Sequence, residues 1–371
     1  MLKKIIFIII FIFILIIALF ILFFPSAKNG VVIMYNLATG KEIGLNNSNG
    51  AINILLLGIG GGSHDGPNLT DTIIVANINR KKNEINLISI PRDLWVPDLS
   101  SKINAAYSDG QEKNNKGKLV ASAVIKKVIG QPINYTVVFD FSGFEKMVDL
   151  IGGIDVNVQN TFDDYEYPIA GKENDLCGHT QEELQVLATD SAEQSVKDFS
   201  CRYEHLHFDK GLTHMDGSTA LEFVRSRHAV QAIEQSDFAR SRRQHEVIIA
   251  LKDKMLTLGT LFNPIKILGI YNVLKDNIDT DIKTEQVDDF IRLAQEMKNP
   301  KINNYVLDTG DENEKRLGLL INPPVSSDFG YQWVLIPRIG KDNFSEIQKY
   351  IDCITSGKIC SVTETSVLIS N

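Results

Sequence analysis

The sequence lacks the short motifs that mark several common enzyme sites. It has no Gly-x-Ser-x-Gly elbow, no His-Glu-x-x-His pair and no Cys-x-x-Cys pair. The glycine-rich stretch "LGIGGGSHDG" is not followed by Gly-Lys-Ser/Thr, and Ser63 stands where a dinucleotide fingerprint needs its third glycine. These absences argue against an α/β-hydrolase, a zincin protease, a phosphate-loop nucleoside triphosphatase and a Rossmann dinucleotide-binding domain.

Positive charge is also scarce. The 371 residues include 38 Lys and Arg against 46 Asp and Glu, a formal net charge of -8. A nucleic-acid-binding protein needs a basic surface, so we expect no nucleic acid as partner. Internal repeats are absent as well. A hydrophobic content of 44% is typical of a globular chain with room for one large domain or two small ones.

The N-terminus carries one long apolar run, Ile5–Phe24, which follows Lys3 and Lys4. About 20 apolar residues span a bilayer, and flanking positive charge stays in the cytoplasm. We therefore predict a cytoplasmic tail at 1–4, an uncleaved single-pass anchor at 5–24 and an extracytoplasmic remainder at the cell membrane. A cleaved signal peptide is the alternative, which the proline of Pro25–Ala27 disfavours.

Cysteine is rare, and all four cysteines follow the predicted anchor. An even number of cysteines outside the cytoplasm suits two disulfides, one at 177–201 and one at 353–360. Zinc is the alternative for part of this set, because His205 and His207 follow Cys201, although that site needs a distant fourth ligand. The four cysteines are Cys177, Cys201, Cys353 and Cys360.

Strand and helix patterns alternate through most of the chain. After a predicted linker at 25–50, "DTIIVANI" and "EINLISI" flank a polar turn, which predicts a hairpin. We predict one α/β domain at 51–356, an α-β-α sandwich with a central mixed sheet. The polar, cysteine-containing segment 161–210 is predicted to be an insertion, and 357–371 a C-terminal tail.

Polar residues start a helix whose inner face is otherwise apolar. At 100° per residue, Asp237, Arg240 and Gln244 share one face, whereas Arg242 points elsewhere. A charged group on an inward face must be paired or must face a cleft. Either Asp237 and Arg240 form a buried ion pair, or this face binds a ligand. The same face continues through Val247, Ile248, Leu251, Met255 and Leu258.

Two further arginines, Arg225 and Arg227, follow the helical pattern "TALEFV". Two residues apart, they share a side only if the chain has become extended. One interpretation is that they only complement the helix dipole. Together with Arg240 and Gln244, however, they favour a clamp for a pyrophosphate or a phosphodiester.

A second polar cluster lies at predicted strand ends. Asp71 begins one strand, and Arg92 and Asp93 follow the next, so a hairpin would place them at the same end of the sheet. An aspartate beside phosphate-binding arginines suits Mg²⁺, which takes few carboxylates plus phosphate oxygens. A structural Asp71–Arg92 salt bridge is the alternative. Lys102 is either a further phosphate contact or a solvated lysine.

These motifs, in this order, resemble the LytR-CpsA-Psr family of bacterial envelope proteins. The resemblance runs from about Asn53 to Leu258 and rests on "TDT", "IPRD", "KINAAY", "FVRSRH" and "DFARSRRQ". It implies a phosphotransferase that moves a glycopolymer from a polyprenyl-pyrophosphate carrier onto peptidoglycan, close to membrane lipid.

The resemblance also implies roles for individual residues. Asp71 takes the place of the family's magnesium ligand. Independently of the resemblance, either Asp93 or Asp237 is a candidate to accept the proton of the acceptor hydroxyl. The pyrophosphate contacts fall on Arg92, Arg225, Arg227, Arg240 and Gln244, with Lys102 as a further candidate.

The chain departs from the family pattern in two places. Where many members supply another aspartate after the first strand, Asp65 is the candidate replacement. Where many have arginine before the "DT" pair, this chain has Leu69. Two other functions therefore stay open: a lipid-pyrophosphate hydrolase and a non-catalytic binder of lipid-linked glycan.

Overall fold

The computed structural model describes residues 43–61, 66–169, 171–172, 174–180, 183, 199–255, 278–297, 300–311 and 315–370. The predicted anchor at 5–24 and the candidate metal ligand Asp65 lie outside these residues. Within them, no helix combines the length and the apolar character that crossing a membrane requires.

The described residues form short and long strands interleaved with helices. The strands are β1 (Ala51–Ile59), β2 (Thr70–Asn79), β3 (Glu84–Ser89), β4 (Trp95–Val96), β5 (Ser101–Lys102), β6 (Tyr135–Asp140), β7 (Ile154–Val158), β8 (Phe162–Pro168), β9 (Tyr203–Phe208), β10 (Gly211–Met215), β11 (Ile278–Thr280), β12 (Lys301–Val306), β13 (Gly310–Asp311), β14 (Arg316–Leu317), β15 (Leu320–Ile321), β16 (Ile336–Pro337), β17 (Ile359–Val362) and β18 (Val367–Ser370). The α-helices are α1 (Ala105–Asn114), α2 (Gly117–Ile129), α3 (Phe141–Leu150), α4 (Gly217–Arg225), α5 (Asp237–Met255), α6 (Val287–Glu296) and α7 (Ser345–Thr355).

A six-stranded mixed sheet forms the centre, in the order β11-β6-β1-β2-β3-β12. β2 pairs antiparallel with β1 and β3, whereas β6 and β12 join in parallel. The predicted hairpin is confirmed: β2 and β3 are joined through a turn in which Asn83 has a φ of 51°. Asparagine tolerates this left-handed conformation better than most residues.

Alternating side chains of the sheet bury both of its faces. Leu55 and Val75 belong to a core completed by residues of α1, α2 and α7. On the other face, Ile74 and Leu87 pack near Ile248 of α5, and α6 covers the neighbouring strands. Because successive residues of a strand point to opposite faces, this pattern puts helices on both sides. The predicted α/β fold with a central mixed sheet is confirmed.

A second core lies beside the sheet and includes the edges of the predicted insertion. β8 and β9 pair with each other, and Phe162 and Phe208 are buried with Phe223 of α4. The described edges of the segment predicted to be an insertion, 161–210, therefore form paired strands that contribute to this core. The polar composition of 161–210 as a whole did not reveal the apolar residues at alternate positions of β8 and β9.

The predicted C-terminal tail at 357–371 also needs correction. Its β17 and β18 form an antiparallel hairpin, and Val367 is buried in the main core. Within the linker predicted at 25–50, Leu45 packs against Tyr135. In both segments a buried apolar residue helps to attach polar sequence to the domain.

The four cysteines form the two pairs expected from the sequence. Cys177 and Cys201 have Cα atoms 5.6 Å apart. The Cα atoms of Cys353 and Cys360 are 6.0 Å apart, and this bridge ties α7 to β17. The first bridge closes a sequence separation of 24, the second a separation of 7.

Removing the longer bridge is expected to destabilise the protein more than removing the shorter one. The chain-entropy relation gives roughly 3 kcal/mol for Cys177→Ser with Cys201→Ser, and roughly 2 kcal/mol for the matched pair Cys353→Ser with Cys360→Ser. Urea unfolding of both double variants measures the difference. Recovery of free thiols from non-reduced wild-type protein would contradict the pairing itself.

Candidate functional site

A cleft lies where the start of β2, the end of β3 and the start of α5 meet. The empty space above its lining, counted out into open solvent, is about 350 Å³. Its lining combines charged and amide side chains with apolar ones. The polar lining residues are Asp71, Thr72, Ser89, Arg92, Arg240, Ser241 and Gln244, and the apolar ones are Ile73, Ile90, Pro91, Phe238 and Val306.

Asp71 lies between two arginines at this cleft. Its Oδ1 is 2.5 Å from Nη1 of Arg92 and 3.6 Å from Nη2 of Arg227. All three side chains remain accessible, with 37%, 27% and 36% of their surfaces exposed. The bridge that the sequence offered as an alternative is present. The Asp71 cluster (Asp71, Arg92 and Arg227) thus brings two accessible guanidinium groups to one carboxylate at the cleft.

Asp93 contacts Arg92 at a different nitrogen from the one that faces Asp71. This buried carboxylate accepts from Nζ of Lys102 at 2.6 Å and lies 3.4 Å from Nε of Arg92. Both of its oxygens thus face cations. This arrangement suits a residue that orients Arg92 and Lys102 better than one that accepts a proton.

α5 contributes two of the predicted residues to the cleft. Gln244 donates from Nε2 to Oγ1 of Thr72 at 2.9 Å, which joins the helix to β2. Arg240 is 7% exposed and lines the same cleft. Asp237 begins the helix, but its side chain lies outside the described part of the structure.

Arg225 and Arg227 contact different groups. α4 ends at Arg225, and Ser226 is extended with φ of -50° and ψ of 134°. The guanidinium of Arg225 lies 4.4 Å from the ring centre of Phe141 and donates to the hydroxyl of Tyr167 at 3.3 Å. Arg227 reaches Asp71, whereas Arg225 is a cation–π partner of Phe141.

Arg243, which sequence reasoning missed, anchors the segment that carries Arg227. Its guanidinium donates to the carbonyls of Phe223 at 2.9 Å, of Ser226 at 2.5 Å and of Glu234 at 3.1 Å. It also pairs with the Glu234 carboxylate at 2.7 Å, and both side chains are almost fully buried. Helical spacing gave only a partial signal: Arg243 lies one turn before the buried Val247, but spacing does not show whether an arginine is buried and bonded.

Asp164 of β8 holds the same segment from the other side. Its fully buried Oδ2 accepts from Oγ of Ser226 at 2.6 Å and from the amides of Arg227 and His228, both at 3.1 Å. A carboxylate with three donors fixes the backbone at Arg227. Sequence reasoning missed it because residue 164 fell within the predicted insertion.

His245 fastens α5 to β3. It is fully buried, and its Nε2 lies 2.8 Å from Oγ of Ser89. Nδ1 has no hydrogen-bond partner among the described residues, which favours the tautomer with the proton on Nε2. Burial lowers the pKa of His245 from 6.5 to about 4, so the ring is neutral at physiological pH.

Replacing Arg243 is expected to unfold the region around the site. Arg243→Leu leaves three carbonyls without their donor and weakens the compensation of buried Glu234, at a cost of roughly 3 kcal/mol. Arg242 pairs with the same glutamate but is 37% exposed, so Arg242→Ala is expected to cost about 1 kcal/mol. Urea denaturation compares the two variants, and equal losses would contradict the assignment.

The buried His245 predicts a loss of stability in mild acid. Its folded-state pKa lies below its unfolded value, so the unfolded chain binds more protons as pH falls from 6.5 towards about 4. Between those pH values the free energy of unfolding of the wild type should fall by on the order of 3 kcal/mol more than that of His245→Gln, which has no titrating ring. Melts at several pH values measure the difference, and a gap independent of pH would contradict it.

Comparison with known proteins identifies the family and the relatives that this chain resembles. The model of the LytR_cpsA_psr family matches residues 22–317. The polyisoprenyl-teichoic acid–peptidoglycan teichoic acid transferase TagU of Bacillus cereus is 28% identical over 243 residues, 64% of this chain and 62% of that protein. The corresponding transferase TagV of Bacillus subtilis is 30% identical over 58% of this chain and 45% of that protein.

Solved structures show the same fold. The crystal structure of Bacillus subtilis TagV matches with a TM-score of 0.53 and 23% identity, and the match covers 82% of this chain and 97% of that one. The sequence alignments span less than two thirds of the length of the two transferases. Because the family model matches most of the chain, this protein belongs to the LytR_cpsA_psr family.

Proposed function

We propose that this protein is a membrane-anchored phosphotransferase that moves a glycopolymer from a polyprenyl-pyrophosphate carrier to peptidoglycan outside the cytoplasm. The observation that carries the proposal is the Asp71 cluster, in which two accessible arginines flank one carboxylate in a cleft. The transferase names of the Bacillus relatives support the same activity. The segment 5–24 supplies the anchor in this proposal.

The cleft suits a diphosphate with an apolar substituent. Guanidinium groups bind phosphate oxygens through paired, charge-assisted hydrogen bonds, which assigns this role to Arg92, Arg227 and Arg240. The apolar lining from Ile90 and Val306 offers a surface for the first isoprene units. Arg225 has a supporting role, since it packs on the aromatic rings beside this group.

The donor set of the cleft also fits Mg²⁺. Mg²⁺ prefers one or two carboxylates together with substrate phosphate oxygens and water, and Asp71 offers a partly exposed carboxylate where the diphosphate would lie. In this proposal Asp71 holds the ion, with Asp65 as a possible second ligand. The bound ion would offset negative charge on the diphosphate.

The proposed reaction exchanges one phosphorus–oxygen bond for another. The acceptor hydroxyl of peptidoglycan forms a bond to the phosphorus that carries the glycopolymer, and the bridging bond of the diphosphate breaks. The products are a phosphodiester and polyprenyl phosphate, and the hydroxyl proton is released. Arg92 and Arg227 stabilise the charge that moves onto the leaving phosphate. Asp93 keeps Arg92 in place, and Asp237 is the remaining candidate to accept the proton.

Product analysis separates this function from its two alternatives. The full chain is incubated with a polyprenyl-pyrophosphate-linked glycan, with and without peptidoglycan. We expect polyprenyl phosphate and a glycan–peptidoglycan phosphodiester only when the acceptor is present. Release of glycan phosphate to water at the same rate in both reactions would identify a hydrolase, and binding without turnover a carrier.

Replacing an arginine of the cleft is expected to lower the transfer rate more than replacing an arginine elsewhere. Arg92→Ala, Arg227→Ala and Arg240→Ala should each lower the transfer rate by about one to two decades, because a contact to a charged oxygen contributes roughly 1.5–3 kcal/mol. Arg80→Ala is the control. Arg80 follows the end of β2 that is remote from Asp71, and it forms an exposed ion pair with Glu296. A comparable loss in Arg80→Ala would refute the assignment.

Asp71→Asn is expected to remove magnesium dependence together with activity, while lipid binding persists in part. The neutral amide no longer holds a hard dication, whereas the arginines still contact phosphate oxygens. The Asp71–Arg92 pair is partly exposed, so its loss should change the melting temperature little. Transfer rate against Mg²⁺ concentration, with a thermal melt of the same variant, tests this. A destabilised variant with a normal magnesium curve would mean that Asp71 is only a bridge.

A further inference from the structure

A second polar cluster lies on the outer face of the β8–β9 pair. His205 and His207 are two residues apart on β9, so they share a face, and Asp163 of β8 is paired in register with His207. Oδ1 of Asp163 lies 2.9 Å from Nε2 of His205 and 2.7 Å from Nδ1 of His207. Three ligand atoms of metal-binding type thus lie within 4.8 Å of one another.

The surroundings of this cluster orient each ligand atom. Nε2 of His207 faces the carboxylate of Asp209 at 3.4 Å, so Nδ1 is the nitrogen that faces Asp163. Gln231 donates to Oδ2 of Asp163 at 3.2 Å, which leaves Oδ1 towards the histidines. Metal-bound histidines and carboxylates in proteins have such outer partners, which fix ring orientation and basicity.

The ring of His205 is fixed as well. Tyr165 stacks on it with ring centres 4.1 Å apart and planes inclined by 4°. The three side chains remain accessible, with 23% of Asp163 and 45% and 47% of the two histidines exposed. An ion from solvent can therefore reach them without a change of fold.

We propose that Asp163, His205 and His207 bind a transition-metal ion, with Zn²⁺ as the physiological candidate. Zn²⁺ takes imidazole nitrogen and carboxylate oxygen at about 2.0–2.2 Å, so tetrahedral ligands lie about 3.3 Å apart. The present oxygen–nitrogen distances need to open by only about half an ångström as the ion replaces the bridging protons. Two neutral imidazoles and one carboxylate leave one position for water or another ligand.

The structure changes the zinc hypothesis that the sequence raised. Cys201, the third ligand in that hypothesis, forms the disulfide with Cys177 and has no thiolate to offer. Asp163 stands in its place, brought from 42 residues away by the pairing of β8 with β9. Sequence spacing alone did not identify this carboxylate.

The test measures Zn²⁺ binding by the purified, metal-free full chain, with a competing colorimetric chelator. We expect one ion per chain, weakened at least tenfold in His207→Ala. His214→Ala is the matched control, because His214 is also an exposed strand histidine paired with an aspartate of the neighbouring strand, Asp155 at 2.7 Å. Its binding should equal that of the wild type.

Two further measurements keep the result unambiguous. Added Zn²⁺ should raise the melting temperature of the wild type and of His214→Ala but not of His207→Ala. Co²⁺ in place of Zn²⁺ should give visible bands without thiolate charge transfer. Absence of zinc binding, equal binding by His207→Ala, or a thiolate band would each overturn the proposal.

Discussion

The site depends on one buried charged group, the guanidinium of Arg243. It bonds three carbonyls and one carboxylate, and these come from the end of α4, the following extended segment and the turn Ala232–Glu234. A buried cation is tolerated only when its donors are satisfied, so the surrounding backbone has little freedom to move away. Arg227 lies in the middle of that backbone. The position of Arg227 at the cleft is therefore set by the contacts of Arg243 with the neighbouring backbone, and not by the guanidinium of Arg227 itself.

The cleft shows the opposite electrostatic situation. There the charges are partly exposed, and Asp71 faces both Arg92 and Arg227. In water such pairs contribute little to stability, so the arrangement is hard to explain as a device for holding the fold together. Accessible guanidinium groups are well suited to bind an anionic ligand. The buried, saturated contacts of Arg243 therefore differ in kind from the accessible contacts of Arg92 and Arg227.

Periodicity was sufficient to predict the mixed sheet and the hairpin of β2 and β3, because buried faces impose spacings of two and of about three and a half residues. The same reasoning placed Arg240 and Gln244 on one face of α5. It did not separate Arg243 from its neighbours, because a buried, fully bonded arginine and a solvent-exposed one look alike in sequence. Asp164 was missed for a related reason: the three groups that donate to its Oδ2 lie more than 60 residues away along the chain. Long-range polar contacts leave no local pattern.

Strand β8 links the two sites described above. Adjacent residues of a strand point to opposite faces, so Asp164 points into the second core while Asp163 points outward. The inner carboxylate holds the backbone of Arg227. The outer one accepts from the histidines of β9, and its own backbone pairs with Val230 in the same segment. An ion bound outside would therefore restrain the strand whose inner face positions Arg227, without touching the cleft. The two sites are linked through β8, whose successive side chains point to opposite faces. No contact between the two ligands is required.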